Sequence, residues 1–577
     1  MRRWWLASRE HDVGASRVTP PECSRRTEWL VFGLVLVIIG AISISPVLTP
    51  AVGSDQHASV DAVRGHIEVI ATEPHPMGTP EIERVRSYVI GALADMGLTA
   101  ETQAVEAPDY LGIARGAPVE VVNVLARIPG SSSTGAVLLI AHYDTVPETA
   151  GANDNSMAVG NLLEVAREIQ SGPQLANDVI LLFSDGEEPN PRYGASAFLD
   201  HPWASDVAVA LNFEAVGEFG PSLLVEELGG NGVSGAYAGA VDDPAAFSFM
   251  TQTAELIGGA ATDFDVFRKA GVPGLVFATF RGSAIYHTAD DSIDRVHDPE
   301  IAHQRATALS LAQALGDTDL TTIADGGFDI FFTVFPGTLI QHPPWWLAAV
   351  LASAAIGFIA LVVLRWREGT VSTGGCLRDF GVSLGAAALA MIAGSLLWML
   401  LVSLFPNMGV AASYVGLAAI TVVIGAVAAR VIGWRARLSG ADSILVASLA
   451  IWVVVAGLVF LGAPRASYVF VWPALVGVMA ALTMPWWTAR WVWVGGSSIV
   501  ALAALALTVP MIDTFFLIAG PRPGNPGSEL PYVIAVSALG GFLAILLIGT
   551  TALAGAGRSA HVGCSCTPAD HEGSEPL

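Results

Sequence analysis

Asp178-Val179-Ile180-Leu181-Leu182-Phe183-Ser184-Asp185-Gly186-Glu187-Glu188 is the stretch that decides how this chain is read. It opens as a short, continuous apolar run, the pattern of a strand buried on both faces, and ends in a polar turn with two adjacent carboxylates. Four other runs share the first pattern: Val119–Ile128, Ala136–Ala141, Val207–Phe213 and Val272–Phe280. Helical patterns lie between or before them, at Glu81–Met96, Asn155–Ile169, Pro244–Ile257 and Pro299–Leu315. In the first of these Ile82, Val85, Val89, Leu93 and Met96 recur at spacings of three and four. Buried strands alternating with helices predict an α/β domain, a mostly parallel central sheet flanked by helices. In such folds function gathers beyond the carboxyl ends of the strands.

Those ends carry the chemistry. The run Ala136–Ala141 finishes in His142-Tyr143-Asp144, Asp178–Phe183 in Glu187-Glu188, and Val207–Phe213 in Glu214, while His287 follows the run ending near Phe280. Asp154 sits in Gly151-Ala152-Asn153-Asp154-Asn155, just before a helical segment. Histidine and carboxylate without thiolate suit a catalytic zinc site. Two such ions, about 3.5–4 Å apart, need one bridging carboxylate and terminal ligands for each. Of two adjacent glutamates one can bind metal while the other stands beside it as a base. Asp144 can accept the second N–H of the His142 imidazole. Singly, each residue also fits a plainer role. Asp154 can open its helix with Asn155 as the cap, Glu187-Glu188 can be a solvated loop, and His75, His201 and His297 read as polar boundary residues.

The rest of the chain is of another kind. Of 577 residues 53% are hydrophobic and only 14% charged, and from Trp345 onward apolar runs of bilayer-spanning length follow one another. Spans are expected to begin near Trp345, Phe380, Ala411, Ser443, Tyr468, Trp491 and Tyr532, with Thr508–Ala519 readable as a re-entrant or additional segment. Arg365, Arg367 and Arg378 fall in one joint and Arg430, Arg435 and Arg437 in the next alternate one, as the positive-inside rule requires. An earlier apolar run, Trp29 to about Val47, follows six arginines and reads as an uncleaved anchor entering with its N-terminus inside, with a cleaved signal peptide as the competing reading. The expected plan is a cytoplasmic tail at 1–28, an anchor at 29–50, a catalytic domain at 51–320, a linker at 321–343, a bundle of about seven spans at 344–554 and a cytoplasmic tail at 555–577. The catalytic domain is then extracytoplasmic in a multi-pass protein of the lipid bilayer, with both chain ends cytoplasmic. Few ionisable residues fall within the spans, Arg430 and Asp513 lying near ends, so the bundle reads as anchor and scaffold.

Residues Val52–His342 hold about 40 acidic and about 12 basic side chains, an excess greater than the whole chain's net charge of −24. Such a surface excludes nucleic acid as a partner, since phosphates need a basic footprint. The four cysteines, Cys23, Cys376, Cys564 and Cys566, all lie outside that segment, which excludes cysteine catalysis there and disulfide support.

Ala141-His142-Tyr143-Asp144, Gly151–Asn155, Asp185–Glu188, Asn212-Phe213-Glu214-Ala215 and Tyr286-His287-Thr288-Ala289-Asp290 together resemble the co-catalytic zinc aminopeptidase and glutamate carboxypeptidase family. The likeness runs from about Val60 to Leu315 and takes in Gly78-Thr79-Pro80, Thr262-Asp263-Phe264 and Gly271-Val272-Pro273. A domain of this kind followed by many spans, with Phe328-Asp329-Ile330-Phe331-Phe332 before them, looks like the multispanning branch, the vacuolar or endoplasmic-reticulum membrane proteases. The resemblance implies two zinc ions per chain, with Asp154 bridging, His142 and Glu214 completing one site and Glu188 and His287 the other. It implies Glu187 as general base, Asp144 as the partner of His142, and Asp263 and Tyr286 on the substrate side or behind the ligands. Many family members carry Asp where this chain has Glu214, while the multispanning branch also uses Glu.

The activity so implied is hydrolysis of peptide bonds by a membrane-bound exopeptidase, an aminopeptidase by family habit, through a metal-bridged hydroxide. Two alternatives stay open: an aminoacyl transferase resembling the glutaminyl cyclases, and a non-catalytic receptor or assembly subunit. No arginine cluster for a substrate carboxylate is evident, and Arg192 and Arg281, near the site motifs, can equally be surface residues. Neither the peptide substrate nor the oligomeric state is legible.

Overall fold

The computed structural model describes residues 48–519, apart from 54–55, 110–111, 113–115, 189–191, 406–414, several positions between 417 and 437, and 485–489. The anchor expected up to about Val47, the span expected from Tyr532, both tails, Cys23, Cys564 and Cys566 lie outside the described residues, and the span expected from Ala411 is described only at scattered positions.

Seven strands form one mixed sheet: β1 (Ala100–Ala107), β2 (Val119–Ile128), β3 (Ala136–His142), β4 (Asp178–Ser184), β5 (Val207–Ala215), β6 (Leu223–Leu228) and β7 (Gly274–Thr279), in the spatial order β1-β2-β4-β3-β5-β7-β6. β4, β3, β5 and β7 pair in parallel, while β2 on β4, β1 on β2 and β6 on β7 are antiparallel. The parallel centre is what the continuous apolar runs dictate, because every residue of β3 and of β4 is buried. β1 and β6 were not expected. β1 alternates exposed Thr102, Ala104 and Glu106 with half-buried Gln103 and Val105, and this edge pattern hides it among polar loops.

Helices α1 (His57–Ile70), α2 (Pro80–Asp95), α3 (Ala158–Ser171), α4 (Tyr193–Phe198), α5 (Asn231–Ala240), α6 (Ser248–Ile257), α7 (Phe264–Ala270) and α8 (Asp298–Gly316) complete this unit. α2 starts where the sequence tells it to: the Thr79 hydroxyl accepts the Ile82 N–H, Pro80 occupies the first turn, and Ile82, Val85, Val89 and Leu93 are buried.

From β3 the chain passes first to β4 on one side and later to β5 on the other, so β3 is the strand at which the order reverses. The crevice beyond its carboxyl end is the favoured ligand position in such a sheet.

The expected linker folds as a hairpin, β8 (Ile330–Phe335) with β9 (Thr338–His342). It leads into apolar helices α9 (Pro344–Arg367), α10 (Thr373–Leu404), α11 (Ala441–Gly462), α12 (Tyr468–Thr483) and α13 (Arg490–Ala519). Among the described residues three helices, α9, α10 and α11, are long and apolar enough to cross a membrane. Thr508–Ala519 is no separate segment, because α13 continues through it past Pro510. The two parts share a core: Phe247, Phe249, Phe280 and Phe332 of the first unit cluster with Leu347, Trp452, Tyr468 and Leu507 of the helices.

Candidate metal centre

The five expected ligands meet in the crevice beyond β3. His142 ends β3, Glu188 follows β4, Glu214 is the last residue but one of β5, and His287 follows β7. Asp154 enters from the turn between β3 and α3. There Gly151 takes a left-handed φ of 66°, and the helical path is interrupted at Asp154 (φ −105°, ψ 88°). Only glycine serves at position 151, since a Cβ there would stand 2.5 Å from Asp154 O and 2.5 Å from Thr145 Cγ2.

His142 Nε2 lies 3.3 Å from Asp154 Oδ1 and 3.3 Å from Glu214 Oε2. His287 Nε2 lies 3.4 Å from Asp154 Oδ2 and 3.0 Å from Glu188 Oε2. Each oxygen of Asp154 therefore faces a different imidazole. Donor atoms of His142, Asp154 and Glu188 fall within 4.8 Å of one another. His142 Nδ1 hydrogen-bonds the backbone carbonyl of Asp144 at 3.1 Å, which assigns the proton to Nδ1 and turns the Nε2 lone pair toward the carboxylates. Asp154 Oδ2, Glu188 Oε1 and His287 Nε2 are buried and without a hydrogen-bond partner.

Donors facing donors with nothing directed between them is the arrangement a cation satisfies. Electrostatics agree. Burial pushes Glu187 well above the usual carboxylate range, with Glu214, Asp263 and Glu188 adding to it, and pushes Glu188 and Asp263 up to about 7. For Asp154 burial pulls upward too, but His142 and His287 outweigh it and hold the group below its ordinary value. Burial would lower both histidines, yet the surrounding carboxylates raise His142 well above 6.5 and His287 to about 10. Negative charge able to hold a proton on each imidazole is equally able to hold a dication. The oxygen and imidazole donors fit zinc.

Residues 123–312 match the family model described as peptidase family M28. This part of the chain is similar to peptidase family M28. It is 29% identical over 324 residues to a vacuolar membrane protease of Candida dubliniensis (53% of this chain, 34% of that protein). It is 26% identical over 306 residues to human endoplasmic reticulum metallopeptidase 1 (52% of this chain, 34% of that protein). The chain thus spans about a third of the length of the curated relatives it matches. Among solved structures, a zinc aminopeptidase from Bacillus subtilis is similar with TM-score 0.36 and 16% identity, over 46% of this chain and 98% of that one. A glutaminyl cyclase from Porphyromonas gingivalis gives TM-score 0.36 and 18% identity, over 44% and 96%.

Around these five residues the domain builds supports that the sequence did not announce. Asn212 Nδ2 donates to Glu214 Oε1 at 2.8 Å and Asn155 Nδ2 to Glu214 Oε2 at 3.0 Å. Asn155 is thus a clamp on Glu214 rather than a helix cap. Asp291 accepts the backbone N–H groups of Asn153 (2.8 Å) and Asp154 (3.1 Å) and pins the turn carrying Asp154.

Asp144 differs from expectation. Its Oδ1 is 3.5 Å from His142 Nδ1, beyond a good hydrogen bond, and accepts instead the Glu187 N–H, while Oδ2 accepts the Glu188 N–H. It is the Asp144 carbonyl that orients the ring.

The remaining expected residues are also at the site. Asp263 is fully buried and accepts the Ser184 hydroxyl, and Tyr286 stacks on His287 with ring centroids 3.7 Å apart. Arg192 is no surface residue: its Nε lies 3.1 Å from Glu187 Oε1, and its guanidinium faces Asp265 at 4.0 Å. His287 adopts φ 56°, which a non-glycine residue rarely does and which is common where structure serves a site. Its side chain is 34% exposed, which opens the crevice to solvent on this side.

Proposed function

We propose that this chain is a membrane-bound dinuclear zinc exopeptidase acting as an aminopeptidase. The observation that carries this reading is the placement of Asp154, whose two oxygens face His142 Nε2 at 3.3 Å and His287 Nε2 at 3.4 Å. A carboxylate so placed suits a bridge between two cations. His142, Asp154 and Glu214 would hold one, and Asp154, Glu188 and His287 the other. Bound there, the pair would acidify a water and polarise the scissile carbonyl.

The chain's own residues divide the remaining work. Asp144 holds the Glu187-Glu188 backbone so that Glu188 faces the metal site while Glu187 faces the crevice. Glu187, raised by burial, takes a proton from water and returns it to the leaving amine. Tyr286 and the partly open His287 line the side from which a peptide end enters. The M28 match and the protease-named relatives support hydrolysis of peptides.

Metal analysis of the purified full-length chain, together with assays on aminoacyl anilides, N-blocked peptides and N-terminal glutaminyl peptides, tests the reading. Two zinc ions per chain and cleavage that needs a free N-terminus are expected. A single zinc with cyclisation of the glutaminyl peptide, or no turnover of any peptide, would overturn it.

A further inference from the structure

Glu214 and His287 stand on the two ends of one paired arm. Beyond Ala215 the β5 strand runs on against the chain that leaves β7. Val216 N–H donates to Thr279 O at 2.8 Å, Phe219 N–H to Arg281 O at 2.9 Å, and Arg281 N–H to Phe219 O at 3.0 Å. The Thr279 hydroxyl donates to Gly217 O at 2.9 Å. The packing leaves no slack. A Cβ on Gly217 would lie 2.3 Å from Arg281 O, and one on Gly282 would lie 2.5 Å from Glu218 Cγ. A displacement of Arg281 is therefore passed to Glu214 through the pairing and to His287 through the short loop 282–286.

The Arg281 side chain reaches out of the M28 domain and pairs with the carboxylate of Asp513 in α13. Asp513 is itself only 4% exposed. Its helix is fixed at this level because Leu507, Met511 and Ile512 pack in the cluster that holds Ala278 and Phe280. A guanidinium–carboxylate pair in apolar surroundings is short-ranged, directional and little screened. The sequence placed Asp513 near the end of a span with no role.

We propose that Arg281 and Asp513 are positioning residues for the metal centre: an ion pair from an apolar helix holds the arm that presents Glu214 and His287. The helical bundle is then a working part of the site as well as an anchor. This rests on the metal-centre reading above.

The test uses the full chain in nanodiscs, comparing wild type with D513N, D513E and E227Q. Glu227 pairs with Arg465 at a different contact between the M28 domain and the helices, so E227Q loosens that contact without touching the arm. The readouts are zinc retention against graded chelator, hydrogen exchange of 280–288 in chelated protein, and the split between kcat and KM. D513N is expected to weaken retention of one zinc about 10–100-fold and to lower kcat by a similar factor with KM little changed, as loss of outer supports of metal sites does. Exchange of 280–288 should quicken in D513N, while D513E recovers most of the loss and E227Q resembles wild type.

If D513N fails to accumulate, R281K gives the same reading, since it keeps the charge and loses the guanidinium fork. Equal effects of D513N and E227Q would mean general loosening and would overturn the proposal. So would wild-type retention and exchange in D513N. A wild-type chain that binds no zinc overturns the metal-centre reading itself, whereas zinc held equally by wild type and D513N removes only the link to α13.

Discussion

Asp144 Oδ1 accepts the backbone N–H of Glu187 at 3.0 Å. Its other oxygen accepts the Glu188 N–H at 3.3 Å, so one buried carboxylate holds the successive N–H groups of the proposed base and the proposed ligand. Asp144→Asn can accept only one of these bonds and turns a donor toward the other. It should lower kcat/KM by about 10–100-fold while leaving most of the zinc in place. Steady-state kinetics beside metal analysis check this, and unchanged kinetics would remove Asp144 from the site.

Glu187→Gln keeps the size and packing of the side chain but cannot take up a proton. Zinc content should stay at the wild-type value while kcat falls by about 10²–10⁴-fold, the usual contribution of a general base. Near-normal turnover in this variant would refute the assignment.

Gly151→Ala tests the turn that delivers Asp154. The new methyl would meet Asp154 O and Thr145 Cγ2, each at 2.5 Å, on a backbone already at φ 66°. A stability loss of about 1–3 kcal/mol is expected from the conformation alone. Weaker zinc binding should accompany it, because the backbone that must yield belongs to Asp154. Thermal melts with and without chelator separate the two effects: the gap between them should narrow in the variant.

His75 supplies a pH dependence away from the ligands. It is buried, its Nδ1 lies 2.8 Å from Glu73 O, and burial lowers its pKa from 6.5 to about 4. Unfolded, the ring takes a proton near pH 6.5; folded, it resists until about pH 4. Stability from this group is thus complete at neutral pH and shrinks as the pH falls from about 6.5 to about 4, by roughly 3 kcal/mol in all. Denaturation midpoints of wild type and His75→Gln across that range should converge toward acid. Parallel curves would show that His75 does not titrate so.

The parallel centre of the sheet and the meeting of the five candidate residues in one crevice were legible because each rests on local pattern. A strand buried on both faces must be apolar throughout, and its polar successor stands out, as Glu187 does after Phe183. What stayed hidden depends on partners distant in sequence. β1 lies at an edge and shows no apolar run, and Asn155 and Asn212 look like ordinary turn and strand residues until Glu214 is placed between them. Asp144 was assigned through its side chain because the sequence does not reveal that its carbonyl reaches His142 first. Arg281 and Asp513 are 232 positions apart, and only the folded chain shows that they meet.

The aromatic cluster that joins Phe247, Phe249, Phe280 and Phe332 to Trp452 and Tyr468 has a practical consequence for anyone who would excise the α/β unit. Cutting at the start of α9 would leave four phenylalanines facing water, a sticky face prone to self-association. A truncated unit would then tend to precipitate, so binding and activity measurements belong on the chain with its helices in a lipid environment.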